Sequence, residues 1–447
     1  MVAPPVSIKY VMNRLNQGPH YFRLLRCPLF VLISLFITSL APAQQLAFPG
    51  AEGFGRFASG GRGGNIYHVT NLLDSGKGSF RDAVSQPKRT VVFDVAGLIK
   101  IGAKVSAAAD LTIAGQTAPG EGITVYGNGV SFSSNSIVRY LRFRGSINMS
   151  RGACTVVADS LENIIFDHIS IEWGRWDNLH IKKSKNVTLQ YCLIGEGIDP
   201  QRFGALLEGP EDITIHHCLW TGNQSRNPKA KAKIEFINNV IYNWGKSGFV
   251  GGHSSADHYQ DLVGNYFIAG PSSTDNFLSM FTATDHVYHQ GNYADLNKDG
   301  LLNGRLITDE DFTKENATLL KQPTLLSKSK VKVHTAAEAC TVVMKEAGAS
   351  LKRDVIDLRI ISYLESLGKS GQIFNTEADA GGQSLVKEIH SGYKDADHDG
   401  MPDKWESHMG LNAKSAADAT GLNASGYSNL EEYINSLTIK QTNQTTK

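Results

Sequence analysis

The sequence predicts an all-β chain folded as a parallel β-solenoid, with a mixed helical and loop tail at its C-terminal end. A nine-residue pattern of alternating apolar and polar residues returns along the middle of the chain. Its copies are 135–143, 163–171, 186–194, 212–220, 233–241, 260–268 and 287–295. They recur every 21 to 28 residues without a helical pattern between them, which is typical of solenoid coils.

The sixth position of this pattern defines one row of residues along the predicted solenoid. The row reads Tyr140, His168, Tyr191, His217, Asn238, Asn265 and Asn292. Because coils of a solenoid stack strand on strand, residues at one position of the repeat are expected to stack on each other. His168 and its neighbour Asp167 are therefore interpreted as structural rather than catalytic. A solenoid also offers a long lateral groove, which suits a polymer.

The first 43 residues predict a secretory signal peptide. They hold four basic residues and no acid, an apolar core at 28–40, and an Ala-Pro-Ala ending at Ala43. The apolar core is short for a membrane-spanning helix, so a retained membrane anchor is the less favoured alternative. Cleavage near Ala43 predicts an extracellular or periplasmic protein, and no membrane partner is expected.

Removal of the signal peptide changes the net charge. The remaining 404 residues carry 40 Lys and Arg against 43 Asp and Glu, so the net charge is about −3. This composition lacks the positive field that nucleic-acid binding requires, and no nucleic-acid partner is expected. The length suffices for one large β domain with a small appendage, and we expect a monomer.

Two of the four remaining cysteines, Cys192 and Cys218, share one position in consecutive copies of the repeat. Neighbouring strands lie about 4.8 Å apart, and the Cα atoms of a disulfide lie about 4.4–6.8 Å apart. A disulfide formed in an oxidising compartment and a buried stack of free thiols explain this pattern equally well.

The chain divides into four parts. They are the signal peptide 1–43, a solenoid domain 44–305, a wrapping segment 306–390 and a small C-terminal tail 391–447. Early strands are predicted at 68–70, 90–99 and 111–113. Helical spacing of apolar residues predicts short helices over 336–347 and 355–367 in the wrapping segment.

The tail contains the strongest single motif of the chain. It has acids at positions 1, 3, 5, 9 and 12 of a twelve-residue loop and a glycine at position 6. The acids are Asp395, Asp397, Asp399, Asp403 and Glu406. Oxygen ligands at alternate positions, with a glycine for the turn and a final bidentate Glu, suit Ca²⁺. We expect a structural calcium ion here, and an ordinary turn at the half-match 295–300.

A concentrated positive patch lies between two copies of the repeat. Arg226, Lys229 and Lys231 lie in one six-residue stretch between the copies 212–220 and 233–241. Asp159 and Asp177, on the preceding coils, could share a groove with this patch and bind a cation there. A solvated basic turn with scattered surface acids explains the same spacing.

The chain also carries an ordered series of short motifs between about 47 and 300. They are Gly53-Phe-Gly55, Gly60-Gly-Arg-Gly-Gly64, Val69-Thr-Asn-Leu72, Gly76-x-Gly78-Ser79-x-Arg81, 113–120, Phe166-Asp-His168 and Arg226-x-Pro228. Taken together, these motifs resemble polysaccharide lyase family one, the pectate lyases. The tail looks like one attached to secreted bacterial members.

This resemblance implies a right-handed parallel β-helix that cleaves polygalacturonate to 4,5-unsaturated oligogalacturonides by β-elimination, with Ca²⁺ as cofactor. Arg226 occupies the position of the family's base, and Asp159 and Asp177 match two calcium ligands best. Lys229 and Lys231 would grip substrate carboxylates. Arg202 would replace a substrate-binding lysine of the family.

Other functions stay open at this stage. One is a lyase for methylated pectin or another uronate polymer, although acids kept in the groove favour an acid substrate. Another is a non-catalytic, carbohydrate-binding solenoid, in which Arg226 would be dispensable. A hydrolase would need clustered carboxylates, and no tight pair of aspartates lies in the coils.

Overall fold

Each coil contributes one strand to each of three parallel sheets, so the chain is a parallel β-helix, as the repeat predicts. The computed structural model describes residues 44–439, and the predicted signal peptide lies outside the described residues. In one coil, Glu162–Asp167 joins the first sheet, Ser170–Glu172 the third and Asp177–Lys182 the second. Within the described range, no helix has the length and apolar character needed to cross a membrane.

Neighbouring strands pair in chain order within each sheet, and the described residues form the following strands. The first sheet contains Asn65–Val69, Arg89–Phe93, Leu111–Ala114, Ser136–Arg139, Glu162–Asp167, Lys185–Gln190, Glu211–His216, Lys233–Ile237, His258–Val263, Asp285–Gln290 and Thr318–Leu319. The second contains Val105–Ser106, Val130–Phe132, Val156–Asp159, Asp177–Lys182, Phe203–Glu208, Lys229–Lys231, Phe249–Val250 and Leu278–Ser279. The third contains Val95–Lys100, Ile123–Tyr126, Leu141–Arg144, Ser170–Glu172, Leu193–Gly195, Leu219–Thr221, Val240–Tyr242, Tyr266–Ile268 and Tyr293–Asp295, with antiparallel Arg305–Leu306 and Ile389–His390 at its ends.

Short helices lie mainly after the coils. The α-helices are Phe80–Ala83, Asp309–Thr313, Leu326–Ser329, Ala336–Glu346, Val355–Glu365, Asp403–Met409 and Asn429–Ser436, and the 3-10 helices are Phe54–Phe57 and Gly115–Thr117. Ala336–Glu346 and Val355–Glu365 confirm the two helices predicted in the wrapping segment. Side-chain caps start both, because Thr335 accepts the Glu338 N–H and Asp354 accepts the Ile356 N–H.

The alternating pattern of the strands fills the interior of the coil with aliphatic and aromatic side chains, such as Val138 and Phe166. A second apolar cluster lies outside the coil. There Val343 and Ile360, from the two helices of the wrapping segment, pack with Leu219 of the third sheet. The two helices of the wrapping segment therefore cover the third sheet.

The predicted row at the sixth position exists in five coils. Tyr140, His168, Tyr191 and His217 stack successively, with ring centroids 4.6, 4.8 and 5.2 Å apart. With Asn238 they share a left-handed backbone φ of 52–54°. The row therefore marks a corner of the coil between the first and third sheets.

The last two members of that row need correction. In the next two coils Gly264 and Gly291 take the left-handed corner, each with φ of 63°. Asn265 and Asn292 lie one position further along and align with Asn239 instead, forming a ladder of buried amides with N–O distances of 3.2 and 2.9 Å. Glycine lacks a Cβ and adopts φ > 0 without steric cost, which explains why the corner can change residue type there.

The two aligned cysteines are free thiols in the structure. Cys192 and Cys218 are both buried, and the Cys192 N–H donates to the Cys218 sulfur at 3.3 Å. They line the interior of the coil in the row that continues as the asparagine ladder. Of the two alternatives open from the sequence, the structure has the thiol stack.

We expect the histidines at this corner to destabilise the protein in acid. His217 contacts His216 and His334 through its two ring nitrogens, at 2.9 and 2.8 Å. Burial, followed by the charge of His334, lowers the pKa of His217 to about 3. The unfolded chain therefore takes up this proton below about pH 6.5 while the folded chain does not, so stability falls by up to about 1.4 kcal/mol per pH unit. Urea unfolding at several pH values should show a shallower acid loss for His217→Asn than for the wild type, and equal slopes would contradict this role.

Candidate active site and calcium loop

Arg226 meets Asp177 at the beginning of the second-sheet strands. Ser225 bridges to Phe203, and Arg226 follows with a left-handed φ of 61°. Its Nη1 donates to both carboxylate oxygens of Asp177 at 3.1 Å, and its guanidinium carbon lies 4.0 Å from the Phe203 ring centroid. Gly204 permits this approach, since a Cβ there would lie 2.4 Å from the Arg226 carbonyl oxygen. The structure thus brings the predicted base and one predicted acid together.

The two partners of this ion pair differ in burial, and burial shifts the pKa of the acid. The Asp177 side chain is fully buried, whereas that of Arg226 is 19% exposed. Burial raises the pKa of Asp177 to about 6, although the Arg226 charge opposes the shift. Burial, and then the charges of Lys231 and Arg226, lower the pKa of Lys229. Arg226 therefore lies between a buried carboxyl group and the positive charge of Lys229.

A chain of buried amides supports the pair, and the sequence motifs did not identify it. Asn178 follows Asp177 and donates to Asn223 Oδ1 at 3.0 Å. Asn223 donates in turn to Oδ1 of Asn227, the residue after Arg226, at 2.9 Å. Both members of the ion pair are therefore attached to one hydrogen-bonded network that crosses three coils. The signal in the sequence was only an asparagine beside each predicted site residue.

The expected pairing of Asp159 with Asp177 as calcium ligands is corrected by the strand register. Asp159 is exposed and lies opposite Lys182, five residues beyond Asp177 on the same strand. At about 3.3 Å per residue this separates the two levels by roughly 16 Å. Calcium–oxygen bonds are about 2.3–2.6 Å long, so one ion cannot contact both carboxylates.

Asp159 instead belongs to a row of alternating charges on the second sheet. The register aligns it with Lys182, Glu208 and Lys231 in successive coils. His180 lies beside this row, with its Nε2 3.6 Å from a Glu208 carboxylate oxygen. Lys231 therefore lies opposite the acid Glu208 of the preceding coil.

Arg202 lines an open cleft next to the ion pair. The cleft has a volume of about 470 Å³, and Phe203 and Ser225 connect it to the Arg226 side. Lys246 and Met280 line it as well, although the sequence motifs pointed to neither. Arg202 also contacts the side chain of Asn375, in the wrapping segment. The cleft thus extends the cationic surface along the solenoid.

The groove residues do not form a calcium site on their own. In the part of the chain that the structure describes, Asp177 is the single carboxylate that contacts Arg226, and Arg226 donates to both of its oxygens. In residues 44–439, groups of three or more donor side chains close enough for one ion occur only in the tail. Calcium normally takes six to eight oxygen ligands.

The calcium loop of the tail, by contrast, brings its acids together. Donor atoms of Asp395, Asp397 and Asp399 lie within 4.8 Å of one another. Both Asp397 oxygens, one Asp399 oxygen and both Glu406 oxygens are buried without a hydrogen-bond partner. Burial and the neighbouring carboxylates raise the pKa of Asp399 to about 6 and that of Glu406 to about 7. Converging oxygens without donors fit a hard divalent cation such as Ca²⁺.

One predicted ligand of this loop is corrected. Asp403 accepts the Ala396 N–H at 2.8 Å and pairs with Lys394 at 3.2 Å, and it belongs to neither group of converging donor atoms in the described residues. Asp418 instead supplies a donor atom within 4.8 Å of Asp399 and Glu406. It lies outside the twelve-residue motif, so the motif could not reveal it. At the half-match 295–300, Asp299 accepts the Leu301 N–H at 2.8 Å, as in an ordinary turn.

Comparison with known proteins identifies the family. A probable pectate lyase C of Aspergillus flavus is 42% identical over 400 residues, which cover 88% of this chain and 94% of the relative. The chain belongs to the pectate lyase family. A probable pectate lyase C of Aspergillus fumigatus is 40% identical over 411 residues, covering 91% of this chain and 97% of the relative. The expectation of a bacterial-type member is corrected by these relatives, which are fungal.

Solved structures agree with this family in fold. A mutant of a Bacillus subtilis pectate lyase superposes with a TM-score of 0.51 at 13% identity, covering 69% of this chain and 98% of its own. A pectate lyase bound to a hexasaccharide gives a TM-score of 0.50 at 13% identity, covering 69% and 99%. No family model matches the chain. As a member of this family, the chain is a polysaccharide lyase.

Proposed function

We propose that the chain cleaves polygalacturonate by β-elimination in the groove of the second sheet, with Arg226 as the base. The observation that carries this proposal is the contact of Arg226 with buried Asp177 beside Lys229, on a chain 42% identical to a probable pectate lyase. The groove combines a positioned guanidinium with cations for an anionic polymer. The neighbouring cleft of about 470 Å³ gives that polymer room to extend past Arg202.

The reaction removes the C5 proton of a uronate and breaks the C4–O bond. The C5–H electron pair forms the C4–C5 double bond, and the departing glycosyl oxygen takes a proton from water. Arg226 accepts the C5 proton only as the neutral guanidine, a form that is rare at its ordinary pKa above 12. Lys229 and Lys231 add positive charge nearby, which neutralises the substrate carboxylate as charge develops on it.

Asp177 has a positioning role in this proposal. Its two contacts with one guanidinium nitrogen fix the direction of Arg226, and the amides of Asn178, Asn223 and Asn227 fix the backbone beneath both residues. A uronate carboxylate that enters beside the lysines competes with Asp177 for the guanidinium. Weakening of this ion pair on binding would make Arg226 available for the proton.

We assign calcium binding to the tail, where the ion would stabilise the fold rather than take part in the cleavage step. The tail has converging oxygens without donors, whereas the groove lacks a preformed set of ligands. The predicted signal peptide supports export of the protein, which would bring it to a polymeric substrate outside the cell. We propose that the protein acts there as a monomer and that it needs no macromolecule other than its polysaccharide substrate.

Replacing Lys229 should weaken substrate binding in a charge-dependent way. We expect Lys229→Met to raise KM for polygalacturonate about tenfold, which corresponds to about 1.4 kcal/mol. Methylated pectin carries no charge at the ester, so its KM should change little. Lys233→Met is the matched control, because Lys233 belongs to the first sheet and pairs with Glu211 at 3.3 Å. Equal effects of the two substitutions on KM would contradict a role of Lys229 in the groove.

The ultraviolet absorbance of the unsaturated product tests the proposed function directly. Incubation with polygalacturonate and Ca²⁺ at alkaline pH should produce a steady rise in absorbance. A rise with methylated pectin alone would support the neighbouring lyase activity instead. Binding to polygalacturonate without product from any uronate polymer would identify a carbohydrate-binding solenoid and overturn the proposal.

A further inference from the structure

The calcium loop lies against the first coils of the β-helix rather than in an independent tail. Met401 and Ala419 are fully buried in one apolar cluster with Val92 and Ala114 of the first sheet. Met401 follows the loop acid Asp399 by two residues, and Ala419 follows Asp418 directly. The carboxylates of the loop are therefore neighbours in sequence of the side chains that anchor the tail.

Polar contacts join the same surfaces. The carbonyl oxygen of His398, inside the loop, lies 3.2 Å from Nε2 of His68 on the first strand. The Ser391 N–H donates to the Asp94 carbonyl oxygen at 2.7 Å. Arg62 forms an ion pair of 2.7 Å with Glu431, in the last helix. These contacts connect both ends of the tail to the first coil.

The acidic cluster needs a cation to hold this arrangement. Asp399 and Glu406 are fully buried, and three of their four carboxylate oxygens lack any hydrogen-bond donor. Buried carboxylates at this spacing repel each other unless a cation neutralises them. One Asp418 oxygen accepts the Asn412 N–H at 2.9 Å, and the other is buried without a donor. Asp418 is thus oriented with one oxygen available to an ion.

We propose that one Ca²⁺, bound by Asp395, Asp397, Asp399, Glu406 and Asp418, fastens the C-terminal tail to the first coils. Asp418 is the ligand that closes the site from outside the twelve-residue loop, and Asp403 is not a ligand. The ion joins the helix Asp403–Met409, which holds Glu406, to the loop before the helix Asn429–Ser436. This clamp is independent of the cleavage proposed for the groove.

A matched pair of variants tests the ligand assignment. Terbium luminescence sensitised by Trp405, next to Glu406, reports the site during titration with Ca²⁺, and Trp405→Phe checks the source of the signal. We expect Asp403→Asn to titrate like the wild type and Asp418→Asn to bind at least tenfold more weakly. The asparagine side chain keeps one oxygen that can accept the Asn412 N–H, so the hydrogen bond that holds the local backbone is preserved. Equal affinities, or a larger loss in Asp403→Asn, would overturn the assignment.

Hydrogen exchange on the wild-type protein tests the clamp without any substitution. Chelation should accelerate amide exchange at least tenfold in the helix Asn429–Ser436 and in the first strand Asn65–Val69. Exchange in the central strand Glu211–His216 should stay unchanged, because the tail does not cover it. Unchanged exchange in the first two segments after chelation would overturn the clamp, whatever the activity on polysaccharide.

Discussion

Replacing Arg226 by Gln should lower kcat for polygalacturonate cleavage by about 10²–10⁴-fold, the usual contribution of a positioned base. The neutral amide cannot accept the C5 proton at the working pH. The single substitution also leaves Asp177 fully buried without its cation, which can cost about 3–5 kcal/mol of stability. Loss of activity from this variant alone would therefore not separate catalysis from folding.

The double variant Arg226→Gln with Asp177→Asn removes this ambiguity. It keeps two side chains that can hydrogen-bond and leaves no unpaired charge, so the melting temperature should stay within a few degrees of that of the wild type. We expect it to bind polygalacturonate through Lys229 and Lys231 but to form no unsaturated product. Product formed at a tenth of the wild-type rate or faster would show that another group is the base.

The coil architecture could be predicted because its determinants are local. Alternation of apolar and polar residues within each strand, and the recurrence of that pattern, depend on nearby residues alone. The displaced Asn265 and Asn292 show the limit of this approach. Both match Asn238 by residue type, yet the left-handed corner passes to Gly264 and Gly291, and residue type alone does not report backbone φ.

The candidate site depended more on strand register, which no local pattern encodes. Arg226 and Asp177 are 49 residues apart in sequence; the family resemblance grouped them in one site, and the structure places their side chains in contact. The same resemblance made Asp159 a calcium ligand together with Asp177, but register puts Asp159 opposite Lys182, five residues along the strand from Asp177. Asp418 was missed for a related reason, because it joins the calcium loop through tertiary packing and not through motif spacing.

The wrapping segment is joined to the coil by a buried charge network that sequence patterns did not indicate. Arg144, in the third sheet, is fully buried and contacts three carboxylates. Its nitrogens lie 3.0 Å from Glu172, 2.5 Å from Asp354 and 2.8 Å from Asp357. The two aspartates belong to the beginning of the helix Val355–Glu365, 210 residues or more further along the chain. Residues so far apart in sequence do not belong to one repeating pattern, so sequence periodicity could not reveal this network.

We expect Arg144→Met to lower the free energy of unfolding by about 3–5 kcal/mol, since it leaves buried carboxylates without their cation. Arg142 remains 3.3 Å from Asp357 and compensates for part of the loss there, so Glu172 carries the largest penalty. Adding Glu172→Leu to the variant should therefore recover part of the stability, because one uncompensated buried charge is removed. Lys233→Met, which breaks an exposed pair with Glu211, should cost no more than about 1 kcal/mol. Equilibrium unfolding in urea measures the free energy of unfolding of all three variants. If Arg144→Met is as stable as Lys233→Met, the network does not stabilise the packing of the wrapping segment on the coil.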